Sequence, residues 1–225
     1  MAKRVILIVI GVILFVLGAL GAAGGGALIA IFGSDSTLTS DGDRVSTPTS
    51  ALVAAMDDIQ DTNGFAAAAG DPTLRVSVTG ADQPVFVGIG PADAVDQYLA
   101  GVPFDKVTNF DVEPFKLQTA RQNGNGTAQL APPQEQTFWT VRSTGASASV
   151  NWKITDGSYR LVLINADASP SVTGDGSFSL RVPNLFAIGL TLLIAGGVVA
   201  LIGIALLVVG ARTPTTRAPA PAVHA

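Results

Sequence analysis

The residues of this chain that could do chemistry are carboxylates, because histidine and cysteine are almost absent. The 225 residues include no cysteine, and the one histidine is the penultimate residue, His224. The body of the chain therefore has neither the histidine of a Ser-His-Asp or Cys-His nucleophilic site nor the ligands of a His and Cys zinc site. We expect no cofactor and no such catalytic site.

Two groups of carboxylates could still supply a general acid and base. Asp57, Asp58 and Asp61 form the first group, and Asp93 and Asp96 form the second. A pair of carboxylates acquires strongly shifted pKa values only when the two share a buried site, and neither segment indicates burial. We therefore expect solvated carboxylates in a protein that is not an enzyme. A hydrolase that uses only carboxylates is the rival hypothesis.

Acidic residues near both ends of the central segment could instead bind calcium. Asp35, Asp41 and Asp43 cluster near its start, and Asp167 and Asp175 lie near its end. Oxygen ligands suit Ca²⁺, but neither cluster has the spacing of an EF-hand loop. Ordinary turns account for these acids, and we expect no metal site.

Four aromatic residues could line a groove for a carbohydrate or a peptide: Tyr98, Trp139, Trp152 and Tyr159. Tryptophans on neighbouring predicted strands belong more often to a hydrophobic core than to a binding groove. We therefore predict that Trp139 and Trp152 are core residues.

Two long uncharged runs determine how these residues must be positioned. Residues 5–32 and 185–211 contain no ionisable side chain, and only 13% of the whole chain is charged. Each run could cross a hydrocarbon core of about 30 Å as a helix. We predict two transmembrane helices. A cleavable signal peptide is the alternative for the first run, although its apolar stretch is normally about 7–15 residues.

The distribution of charge predicts how the chain is oriented in a membrane. The flanks carry four basic residues and no acid, whereas seventeen acidic and nine basic residues give residues 33–184 a net charge of −8. Because basic flanks stay in the cytoplasm, we expect residues 1–4 and a disordered tail, 212–225, inside the cell and residues 33–184 outside. The bilayer is then one partner, and so acidic a domain is not expected to bind nucleic acid.

Glycine recurs every seven residues in both apolar runs. Seven residues return to the same helix face with a drift of about 20°, so each set forms one stripe. Small residues let membrane helices approach closely, which predicts packing within an antiparallel hairpin or, alternatively, between copies. We favour the hairpin. The glycine stripes would then pair Gly11 with Gly203 or Gly210, Gly18 with Gly196, and Gly25 with Gly189.

The segment between the runs has the pattern of an all-β sandwich. Asp156-Gly157 predicts a hairpin turn, and residues 92–99 predict one short surface helix. Residues 33–48 are expected to form a flexible or loosely paired lead-in, and 122–133 a long disordered loop. Eight short stretches have β-branched and aromatic residues bounded by turn signals: 51–59, 73–79, 84–89, 106–112, 137–143, 149–154, 159–165 and 177–182.

Four stretches are distinctive: Val85–Pro91, Asp96–Val102, Phe138-Trp139 and Trp152–Asp167. Together they resemble a family of uncharacterised two-pass envelope proteins from actinobacteria, over nearly the whole chain up to residue 212. The resemblance implies a membrane hairpin that carries an exported β-domain. It brings no activity and no functional residues.

These patterns favour an accessory or interaction protein of the bacterial envelope. In this hypothesis the exported domain binds a protein or cell-wall partner. The alternative is a small subunit that docks its glycine-striped helices against a larger membrane complex. A fold does not by itself establish a function, so the choice rests on elimination.

Overall fold

Two long helices flank a domain of ten strands in the computed structural model, which describes residues 2–112, 115–123 and 126–212. The chain divides into two units. One unit contains the two helices, and the other, Ser36–Asn184, is called here the two-sheet domain. The predicted disordered tail, apart from Arg212 itself, lies outside the described residues.

The apolar runs form helices α1, Ala2–Phe32, and α4, Leu185–Arg212. Both are long and apolar enough to span a membrane, judged by length and composition. Large apolar side chains on both remain exposed, with Leu17 at 59% and Leu201 at 67% of their full accessibility. A helix that is apolar all round and yet exposed suits a lipid environment.

The two-sheet domain contains two short helices, α2, Thr62–Ala69, and α3, Ala92–Tyr98. The second is the predicted short helix, and the first is additional. The described strands are β1 Thr37–Thr47, β2 Ala51–Ile59, β3 Thr73–Gly80, β4 Val85–Pro91, β5 Phe104–Val112, β6 Phe115–Gln122, β7 Val141–Gly145, β8 Ser147–Lys153, β9 Gly157–Asn165 and β10 Val172–Arg181.

The strands form two sheets that enclose a hydrophobic core. The first has the order β1-β10-β3-β8, and the second has the order β6-β5-β2-β9-β4-β7, in which only β2 and β5 run parallel. Strand β8 shows how the sequence produces the core. Its side chains alternate between buried and exposed, so Ala148, Val150 and Trp152 all face the other sheet.

The six-stranded sheet buries both of its faces. Its second face carries Phe86, Val162 and Ile164, which pack with Val95 of α3 and with Trp139. Strands β4 and β9 therefore read as continuous apolar runs rather than as alternating ones, since both faces are covered. Phe138-Trp139 belongs to this covering layer, which explains why the strand predicted at 137–143 begins only at Val141.

Of the two alternatives for the lead-in at residues 33–48, pairing describes most of the segment and flexibility does not. Most of this segment forms β1, which pairs antiparallel with β10, beginning with Thr37 opposite Arg181. A register shift between Ser40 and Asp43 interrupts the pairing. The strand is polar because it lies at the edge of its sheet, where polar side chains are tolerated and discourage pairing with another chain.

The prediction of a hairpin at Asp156-Gly157 is wrong, because β8 and β9 belong to different sheets. The turn itself exists, and Gly157 has φ 130°, a conformation that residues with a side chain rarely adopt. It carries the chain across the core instead of back along one sheet. The Asp156 carboxylate accepts a hydrogen bond of 2.8 Å from the backbone N–H of Thr62, at the start of α2.

The disorder expected at residues 122–133 is not found in the described part of that segment. Leu130 and Pro133 are buried, and the hydroxyl of Tyr98 donates a 2.5 Å hydrogen bond to the carbonyl oxygen of Ala131. The segment covers the six-stranded sheet, because burial of Leu130 and Pro133 offsets the entropy lost in ordering it.

Candidate functional site

The glycine stripes lie where α1 and α4 meet. All seven glycines are buried. A Cβ atom placed on Gly18 would lie 2.6 Å from the carbonyl oxygen of Gly196, and one on Gly196 would lie 2.7 Å from the carbonyl oxygen of Gly18. Any side chain at either position would collide with backbone of the opposite helix, so the backbones can approach this closely only through glycine.

The two helices are antiparallel, and the register brings particular glycines together. The facing pairs are Gly11 with Gly203, Gly18 with Gly196, and Gly25 with Gly189. Gly210 lies instead against Leu7 and Ile8. Two glycines outside the stripes, Gly24 and Gly197, would have nothing within 4 Å of an added Cβ, so the close approach is specific to the stripes.

Within the two-sheet domain, an apolar cavity of about 410 Å³ lies between the sheets. Aliphatic side chains from both sheets line it, together with Met56 and Phe178. Ser177 carries the one polar side chain among the lining residues. A space of this size with an apolar lining is what a small apolar ligand requires.

The residues that line the inter-sheet cavity differ in exposure. Val78, Val87 and Leu163 are buried. Met56, Val107 and Phe178 are only partly buried. The cavity is therefore accessible beside these partly buried residues.

A buried carboxylate, Asp105 on β5, joins three strands at a distance from the predicted sites. Thr47 donates a 2.7 Å hydrogen bond to Oδ2, and Arg121 donates from Nε to Oδ1 at 2.8 Å. The Arg121 hydrogen bond, assisted by that from Thr47, outweighs desolvation and lowers the pKa of the Asp105 carboxyl below its usual value. Sequence reasoning missed this group because its partners are distant in sequence.

The two predicted carboxylate groups do not meet as an acid and base pair. Arg160 lies between them and binds one member of each: Nη1 contacts Asp57, while Nε and Nη2 each donate to Asp96 at 3.1 Å. The other members are exposed, as predicted: Asp58, Asp61 and Asp93.

Two of the acids considered as calcium ligands, Asp167 and Asp175, each have a partner of their own. Asp175 pairs with Arg44 at 3.6 Å, and Asp167 accepts a 3.0 Å hydrogen bond from the backbone N–H of Ser169. Hydrogen bonding from the Ser169 side chain, and then from its backbone, lowers the pKa of the Asp167 carboxyl. No three histidines or carboxylates gather as a metal site would require, within the part of the chain that the structure describes. The side chains of Asp41 and Asp43 lie outside that part.

The four aromatic residues do not line a common groove. Trp152 belongs to the core between the sheets, where its ring centroid lies 4.8 Å from that of Tyr159. Trp139 belongs to the second core, 5.1 Å from the ring of Phe86, and its Nε1 donates a 2.8 Å hydrogen bond to the carbonyl oxygen of Pro133. The prediction that both tryptophans are core residues is confirmed.

Comparison with known proteins assigns the chain to no family. No protein-family model and no curated protein matches it. One solved structure, described as "Bacillus endospore appendages form a novel family of disulfide-linked pili", aligns with 68% of this chain and 92% of its own, at 11% identity and a TM-score of 0.28. A TM-score this low supports no inference. The resemblance to two-pass envelope proteins stays an expectation.

Proposed function

We propose that this protein is a non-enzymatic, membrane-anchored binding protein of the bacterial envelope. Helices α1 and α4 span the membrane as a hairpin with both termini in the cytoplasm. The two-sheet domain lies outside the cell and binds a protein or cell-wall partner. The observation that carries the proposal is the backbone contact between Gly18 and Gly196. Apolar helices associate in lipid through such close packing, because hydrophobicity drives no association there.

The chemistry of the two-sheet domain supports binding rather than hydrolysis. A glycosidase-type site needs two carboxyl groups about 5–10 Å apart that face one pocket. The inter-sheet cavity has no carboxylate among its lining residues. Asp57, Asp96 and Asp105 are instead engaged by arginine side chains.

The packing of the glycine stripes favours this proposal over a small-subunit role. The glycines of α1 and α4 face each other, and large aliphatic side chains such as Leu17 and Leu201 point away from the contact. A larger membrane complex would have to dock on these aliphatic faces, without the close backbone approach that glycine permits.

Cysteine labelling and protease protection test the topology. We expect Ala67→Cys, at an exposed position of α2, to react with a membrane-impermeant maleimide on intact cells, while the cysteine-free parent does not react. Tags on both termini should resist external protease until the cells are lysed. Loss of either tag before lysis would contradict the proposal.

Site-directed crosslinking tests the binding role. A thiol-directed photocrosslinker is attached either to Ala67→Cys in the two-sheet domain or to Leu201→Cys on an exposed face of α4. An adduct with an envelope protein or wall glycan through position 67 supports the proposal. An adduct through position 201 alone favours the subunit role, and the lack of either adduct counts against both functions.

A further inference from the structure

We propose that the inter-sheet cavity binds one acyl chain of a membrane lipid. The inference rests on the proposed function, which places α1 and α4 in a bilayer. Leu52, Val87 and Leu163 are among the lining residues, and Ser177 supplies the one polar side chain. Because a polar ligand needs hydrogen-bonding or charged partners when it leaves water, this lining selects a hydrocarbon.

The volume of the cavity suits a single chain. An apolar cavity of about 150 Å³ accommodates benzene, which has six carbon atoms. The inter-sheet cavity of about 410 Å³ accordingly accommodates about 16 carbon atoms at the same packing density. A polar headgroup finds only the Ser177 hydroxyl among the lining side chains, so it stays outside the cavity.

The covalent chain links the lining of the cavity to a helix that the proposed function places in the membrane. Leu180 of β10 lines the cavity, and α4 begins five residues later at Leu185. Five residues span at most about 18 Å when fully extended, whatever the orientation of the domain. The connection between the cavity lining and α4 is therefore short, and under the proposed function the lipid around α4 supplies the hydrocarbon chain.

Small residues within the lining provide the means to test the cavity. Ala54 lies on β2 opposite Leu161 of β9, and Gly176 lies on β10 opposite Val78 of β3. A larger side chain at position 54 would occupy space that the acyl chain needs. Ala67→Leu adds the same volume on the exposed surface of α2 and is the matched control.

The experiment uses the full chain in lipid nanodiscs. The probe is phosphatidylglycerol whose 16-carbon acyl chain ends in a diazirine, and crosslinked peptides are identified by mass spectrometry after irradiation. We expect adducts on peptides from α1 and α4, which contact lipid, and on the β2 and β9 peptides that contain Leu52 and Leu163. With Ala54→Leu, the strand adducts should fall about tenfold while the helix adducts stay unchanged.

A second variant covers the case in which Ala54→Leu does not fold. Val107→Asp places a charge at a partly buried position of the lining, where solvent remains accessible. It should reduce the strand adducts to a similar extent, because a hydrocarbon chain would have to pass a carboxylate. Fluorescence of the buried Trp152 verifies that each variant is folded.

The outcomes separate this inference from the proposed function. Helix adducts without strand adducts overturn the acyl-chain site and leave membrane anchoring intact. No adducts on either unit overturn the anchoring, and with it the source of the lipid. Strand adducts that persist equally in both folded variants overturn the cavity as their origin. Strand adducts formed only with free diazirine-labelled palmitic acid overturn a membrane lipid as the occupant.

Discussion

Asp105 and Asp175 both pair with arginine, but their surroundings differ. Asp105 is buried beside Thr47 and pairs with a half-exposed Arg121, whereas Asp175 and its partner Arg44 are both more than half exposed. An exposed ion pair contributes little, because water and salt screen it. When a buried carboxylate is removed, its partners lose their acceptor. We therefore expect removal of Asp105, but not removal of Asp175, to lower the stability.

We predict that Asp105→Ala lowers the free energy of unfolding by about 1–2 kcal/mol, because the buried Thr47 and the half-exposed Arg121 lose their shared acceptor. Asp175→Ala is the control and should change it by less than about 0.5 kcal/mol. Urea unfolding followed by tryptophan fluorescence measures both values. Equal effects of the two substitutions would contradict the prediction.

The lowered pKa of Asp105 adds a dependence on pH. Because its folded pKa lies below the unfolded value of about 3.9, its contribution to stability is complete above about pH 4 and is lost as the pH falls through the folded pKa. The stability difference between wild type and Asp105→Asn should therefore be greatest near neutral pH and shrink below about pH 4. An equal stability difference between the two proteins at neutral pH and well below about pH 4 would contradict this prediction.

Among the elements, the layer over the six-stranded sheet depends on Trp139. This side chain packs against Phe86 and Phe138 at ring-centroid distances of 5.1 and 4.5 Å. We expect Trp139→Ala to lower the free energy of unfolding by about 3–5 kcal/mol, because it leaves a cavity in a closed core. Phe65→Ala, at a position that is 46% exposed, is the control and should cost less than about 0.5 kcal/mol. Chemical unfolding of both variants measures the difference.

The α1–α4 contact can be tested by a disulfide. A Cβ on Gly210 would lie 3.3 Å from the Cβ of Leu7, close to the 3.5–4.5 Å of a disulfide. We expect Leu7→Cys with Gly210→Cys to form an intramolecular disulfide upon oxidation in nanodiscs. The pair Leu17→Cys with Leu201→Cys, both on exposed faces, should not.

Adding Gly18→Leu to the Leu7–Gly210 cysteine pair should abolish the crosslink, because its side chain would collide with the backbone of α4. Gly24→Leu should leave the crosslink intact, since nothing lies within 4 Å of that position. The pair of variants separates packing from helix propensity, because each replaces a glycine within the same helix. A crosslink that survives Gly18→Leu would show that the packing does not require the stripe.

At the scale of the whole molecule, the two-sheet domain begins and ends at one place. The backbone N–H of Val182 donates a 3.0 Å hydrogen bond to the carbonyl oxygen of Ser36. Because the domain also has its own cores, we expect a fragment of residues 36–184 to fold alone, with a thermal midpoint within a few degrees of the same transition in the full chain. Circular dichroism melting tests this, and an unfolded fragment would contradict it.

Local patterns predicted much of this architecture. The long apolar runs, the alternation in β8 and the helix beginning at Ala92 are visible in short windows of sequence. Strand β1 was missed because an edge strand tolerates polar residues. The alanine-rich α2 also has a local helix signal, because alanine has the highest helix propensity.

The candidate sites also divide into those with a local sequence signal and those without one. The glycine stripes follow from spacing within one helix, and the structure brings the two stripes together. The inter-sheet cavity and the Asp105 cluster have no local signal, because both depend on strands far apart in sequence. Thr47 is 58 positions from Asp105, and the volume of the cavity depends on how far apart the two sheets pack.

The pairing of β1 with β10 determines how the two-sheet domain would respond to mechanical force. Its first registered pair, Thr37 with Arg181, joins the strand ends nearest in sequence to α1 and α4. Tension that drew the two helices apart would therefore load these hydrogen bonds one at a time, as in unzipping, rather than shearing them all together. Lateral separation of the helices would peel the edge strand from the domain at low force. By holding α1 and α4 together, the glycine contacts shield the domain from such tension.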